Sequence, residues 1–177
     1  MTYEPELWHD FFLMVGGGAA ALAGLVFVAM SLNLKAIMED ATHRARASAT
    51  MVGFTSIFIL CGAALMAHQT GRWLGIEWLA ATCAYAYAYI AGYAQSLRLH
   101  GSDTGRTGLR RSFAALCALA QVAGSGMLIA GVGEGAFVAA GGLMLNVGSL
   151  VSGAWLLMVG ICNDAQVTKD VSSAAKK

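Results

Sequence analysis

Proline is nearly missing from this chain: Pro5 is the only one among 177 residues. Charge is scarce as well, with 12% Asp, Glu, Lys and Arg against 58% hydrophobic residues and a mean hydropathy of +0.64. That balance excludes an ordinary soluble domain and points to a polytopic membrane protein. A net charge of +1 leaves no field to attract nucleic acid, so no nucleic-acid partner is expected. The four cysteines, Cys61, Cys83, Cys117 and Cys162, contain no CxxC pair and lie in or beside apolar runs. They read as small buried hydrophobes, not as a disulfide framework or zinc site. No basic residue precedes the first apolar run, which is far longer than a signal-peptide core of roughly 7–15 residues, so it reads as a retained span.

What is present is long apolar sequence. A hydrocarbon core about 30 Å thick needs roughly 20 helical residues, and five segments supply them: about 11–34, 49–67, 73–95, 112–131 and 136–161. Only helix satisfies the backbone there, since an open strand would leave polar groups unpaired in lipid. The fold expected is one all-α transmembrane domain over residues 1–177, with a short tail from 162 to 177. Of 11 basic residues, only Arg72 falls on the 2–3 connection; Lys35, Arg44, Arg46, Arg98, Arg106, Arg110, Arg111, Lys169, Lys176 and Lys177 fall on the opposite side. The positive-inside rule then places the N-terminus outside and the C-terminus in the cytoplasm. HQTGR and the VGEG turn are short enough to make tight antiparallel hairpins, whereas KAIMEDATHRARAS and SLRLHGSDTGRTGLRR have room for a helical extension and little else.

Glycine and alanine crowd the first span in GGGAAALAG. Helices in lipid gain little by hiding apolar surface and associate through close packing and interhelical hydrogen bonds. Gly16, Ala20 and Gly24 follow small-xxx-small spacing, Gly17 and Ala21 repeat it, and Gly142, Ser149 and Gly153 accompany Asn146 in span 5. These positions are expected to be helix contacts. A broken-helix transporter is the competing reading, but no proline and no charged pair lies within a span to support it.

Gln121 and Ser125 in the fourth span and Asn146 and Ser149 in the fifth are suited to glue helices or to line a narrow polar path. Gln121 and Asn146 each lie ten residues from the expected outer end of their span. About a turn centred near Gly133 they should share one depth, both facing the interior and bonding to each other or to a common partner. Outside, His9, Asp10, His68, Glu77 and Glu134 fall near one surface, a set that offers metal ligands or a proton-sensitive patch if it converges. Its spacing matches no ligand motif, and no cofactor is expected. Trp8, Trp73, Trp78, Trp155 and Tyr3 fall near interfaces, while Tyr85 and Tyr89, with Tyr93 and Trp78, form a stripe for packing. Convergent nucleophile, base and acid groups are not displayed, so the chain does not read as an enzyme.

The opening residues Trp8, Phe11, Phe12, Gly24, Leu25, Phe27, Val28, Ala29, Ser31, Leu32, Asn33, Leu34 and Ile37 make a WxxFF segment followed by GLxFVAxSLNLxxI. Over roughly the first 40 residues this resembles the start of a family of small bacterial multi-spanning membrane proteins, some labelled modulators of the FtsH protease. The resemblance implies a non-enzymatic accessory role and carries no catalytic residue; Asn33 is the polar residue it puts forward, as a helix cap or partner contact. The expectation is thus an interaction or accessory protein of the bacterial cytoplasmic membrane, in contact with lipid and with further copies of itself or a membrane partner. The alternative is a small oligomeric channel or transporter with its polar level at Gln121 and Asn146.

Overall fold

Pro5 opens the first helix, α1 (Pro5–Leu32), where its missing N–H removes nothing the helix needs. A short α2 (Leu34–Glu39) follows, then α3 (Ala41–Ala64), α4 (Gly71–His100), α5 (Arg106–Ile129) and α6 (Gly135–Ala174). The computed structural model describes residues 3–66, 68–100 and 106–174, apart from the side chains of 42, 92–111 and 161–174. The side chains of Tyr93, Cys162, Arg98, Arg106, Arg110, Arg111 and Lys169, and all of Lys176 and Lys177, lie outside what is described. Among those described, four helical stretches are long and apolar enough to cross a membrane: Pro5–Leu32, His43–Ala64, Ser112–Ile129 and Gly135–Gly160.

Asn33 ends α1. Its backbone leaves the helical region, and its side-chain Nδ2 donates to Ala29 O at 2.9 Å, satisfying a carbonyl that the break would orphan. The chain restarts at once as α2, which buries Ile37 against Ala47 and Leu157. Asp40 then starts α3, its Oδ1 accepting from His43 N at 3.3 Å. The connection with room for a helical extension is in fact mostly helix.

Helices α3, α4, α5 and α6 form a ring in which each packs on its chain neighbour and α6 closes against α3. α1 lies outside the ring, chiefly along α3. Its inner face is Phe12, Val15, Gly16 and Ala19, an i, i+3, i+4, i+7 stripe. At the same end the WxxFF segment becomes an aromatic cluster: Trp8 meets Phe137 at 4.8 Å and Phe12 meets Trp78 at 5.9 Å, both edge-on. The outward surface is apolar, with Leu13, Phe27, Phe58, Leu119 and Trp155 exposed.

In the α5–α6 hairpin the two helices pack backbone against backbone. A Cβ on Gly124 would run into Ala139 N, one on Gly135 would stand 2.6 Å from Gly124 O, and one on Gly142 3.0 Å from Gln121 Cγ. Gly75 does the same for α4 on α5, where a Cβ would lie 2.9 Å from Ser125 O.

Candidate functional site

Side chains from all four helices of the ring line a small, mostly apolar cavity into which a few polar groups reach. α3 contributes Gly53, Ser56, Ile57 and Leu60, α4 Ala81, Thr82 and Tyr85, α5 Gln121, and α6 Leu143 and Asn146. About 20 Å³ of it is open to the centres of water molecules. Gly53 shapes one end: a Cβ there would lie 2.6 Å from Leu150 Cδ2 and 3.1 Å from Tyr85 Cε2, so its absence lets those side chains of α6 and α4 meet α3.

Gln121 is pinned. Trp78 Nε1 donates to its Oε1 at 3.3 Å, and its own Nε2 reaches Cys117 O at 3.5 Å, near the limit for a hydrogen bond. Thr82 Oγ1 donates to Trp78 O at 2.8 Å and Ser125 Oγ to Gln121 O at 2.7 Å, each closing on the carbonyl one turn earlier. The pair joins α4 to α5 at a point where Trp78 is completely buried. Trp78 was expected at an interface; its flanks Leu74 and Thr82 are buried too, which makes this face of α4 the ring's interior. Trp73 and Trp155 do face outward, and Trp8 is half-buried.

Gln121 and Asn146 both face the interior, but they are not at one level. Gln121 lies opposite Gly142, and Asn146 stands one turn further along α6. The cause is Gly131, whose φ of +86° ends α5 at Ile129 in a Schellman motif: Val132 N donates to Met127 O at 2.8 Å and Gly131 N to Leu128 O at 3.0 Å. The turn is thereby centred before Gly133, and the register shifts by a turn. The two amides meet through the cavity they share and not through a bond.

The small residues divide. Gly16 is buried, a Cβ on it falling 2.8 Å from Cys61 Cβ, and Gly142 is buried against α5. Gly153 and Ser149 are half-buried. Gly17, Ala20 and Gly24 are exposed, and neither Gly17 nor Gly24 has an atom of another helix within 4 Å of a Cβ position. Within one chain they are not contacts; Ala19 takes the place expected of Ala20. The stripe follows the 3.6-residue period from Phe12, which the glycine spacing alone did not reveal.

The outer polar set does not converge. His9 Nδ1 pairs only with its neighbour Asp10 Oδ1, at 3.1 Å on an exposed surface. Glu77 accepts from Gln69 Nε2, which also donates to Ala63 O and so braces the α3–α4 connection. His68 is exposed, with φ of +60° in that connection. Among the described residues no three His, Cys, Asp or Glu side chains come together to hold a metal. Cys61 and Cys117 are buried as expected, but Cys83 is exposed on the outer face of α4.

These features define a helical bundle with an apolar exterior and a polar point at its centre. Comparison with protein-family models, with curated proteins and with solved structures gives no match.

Proposed function

We propose that the chain is a five-span protein of the bacterial cytoplasmic membrane, N-terminus outside, acting as a non-enzymatic interaction or accessory subunit of a membrane complex, such as a membrane-bound protease. The observation carrying this reading is the second half of α1. Gly24, Leu25, Phe27, Val28 and Leu32 are exposed, while α1 holds the bundle through its other face. A helix surface mixing small residues with large apolar ones suits close association with another helix in lipid. The fifth span is α4: its 30 residues, ~45 Å of helix, lie against both α3 and α5. Glu77 lowers its hydropathy, yet Gln69 partners that carboxylate. The orientation rests on ten of the 11 basic residues falling on one side.

Mass measurement in nanodiscs, with identification of co-purifying proteins, tests this reading. The expected result is an assembly larger than one chain that Gly24→Leu dissociates without unfolding. A monomer indifferent to that variant overturns it. Reporters fused after Lys177 and before Glu4 should read cytoplasmic and external. The cavity favours a second reading, a small channel or transporter, which solute flux through reconstituted vesicles would distinguish.

A further inference from the structure

We propose that the cavity at the centre of the ring is a binding site for ordered water, one molecule or at most two, held between α3, α5 and α6 by Asn146, Ser56 and Gln121. The proposal rests on the cavity alone and stands whether or not the chain is an accessory subunit.

Asn146 carries it. The residue is 8% exposed, yet its amide, with two N–H donors and a carbonyl acceptor, makes no hydrogen bond among the described residues. A largely buried amide without a protein partner is tolerated where water can still reach it, and the cavity leaves space for water beside Asn146. Ser56 is a second, independent sign. Thr50, Thr82 and Ser125 each turn their hydroxyl back to the carbonyl four residues earlier. Ser56 makes no such bond and lines the same cavity. Gln121 adds a donor engaged only at 3.5 Å.

Size selects the ligand. One water needs roughly 10–15 Å³ of space for its centre, and the cavity offers about 20 Å³. That is space for one water, or at most two. A buried water needs two to four polar partners, and Asn146, Ser56 and Gln121 provide them between the apolar walls of Ile57, Leu60 and Leu143. The water then gives α6 a polar link to α3 at a level where Asn146 lies too far along its helix to meet Gln121 directly.

Solid-state NMR of the full chain in lipid vesicles tests this. With ¹⁵N-asparagine and ¹⁵N-leucine together, the side-chain amides labelled are those of Asn33, Asn146 and Asn163 and the leucine backbone amides serve as the reference; loss of a side-chain signal in Asn146→Leu assigns it. Transfer of magnetisation from water should reach Asn146 Nδ2 faster than it reaches the backbone amide of the core residue Leu128. Ala81→Leu, which fills the cavity, should abolish that transfer. Build-up at Asn146 no faster than at Leu128 overturns the proposal on the wild-type protein alone, whatever the variants do. Fast transfer that persists in folded Ala81→Leu overturns it too, because the water would then reach Asn146 by another route.

Discussion

Two glycine-rich surfaces of this molecule look alike in sequence and do opposite things. In the α5–α6 hairpin two backbones touch at Gly124 and Gly135, where a methyl group would collide with the facing helix, and Gly142 leaves only tight room for one. On the outer face of α1, Gly17, Gly18 and Gly24 meet nothing within 4 Å. Small-xxx-small spacing thus marks a surface able to accept a helix. Whether the chain fills it depends on where the rest of that helix buries its bulk.

The hairpin is the place to break this contrast most severely. Gly124→Leu drives a side chain into Ala139 N and Gly135 O and should cost at least about 3 kcal/mol, read as loss of folded protein on thermal unfolding in detergent. Gly16→Ala is milder, about 1–3 kcal/mol, because one side chain, Cys61, is in the way. Adding Cys61→Gly should recover part of that loss in a double-mutant cycle. Trp78→Phe removes the bond to Gln121 and should lower stability by about 2 kcal/mol, with coupling to Gln121→Leu of about 0.6–1.7 kcal/mol.

Smaller effects sharpen the α1 side. The Tyr3 hydroxyl is buried without a hydrogen-bond partner, and burial pushes its pKa from 10.0 up to about 12. The neutral form is the one the fold favours, so its contribution is intact below pH 10 and is lost as pH rises from 10 toward 12. Tyr3→Phe should flatten that part of the pH–stability curve and change stability by less than about 1 kcal/mol below it. Gly24→Leu should leave folding within about 0.5 kcal/mol while reducing the mass of the assembly in nanodiscs. A large loss of folding would contradict the outward placement.

Much of the architecture was legible because lipid restricts the choices. Apolar runs of span length became α1, α3, α5 and α6 with few surprises, and Gln121 and Asn146 turned inward as amides deep in a span should. Distance along the chain governed what was missed. The interfacial preference of tryptophan is local, whereas the burial of Trp78 depends on Gln121, on another helix. Depth matching about Gly133 failed because Gly131 takes a left-handed conformation two residues earlier, a choice that Gly131, Gly133 and Gly135 all permit. Gly53 and Gly75 escaped notice because neither belongs to a repeat; their significance is the particular neighbour each admits.

The Trp78–Gln121 bond also carries an order of events. Its partners are 43 residues apart, with Trp78 made first. At a synthesis rate of roughly 5–20 residues per second, the indole waits about 2–9 s on the ribosome before Gln121 exists. The α5–α6 hairpin is made last of all. The ring of α3, α4, α5 and α6 therefore cannot close until the final third of the chain has been made.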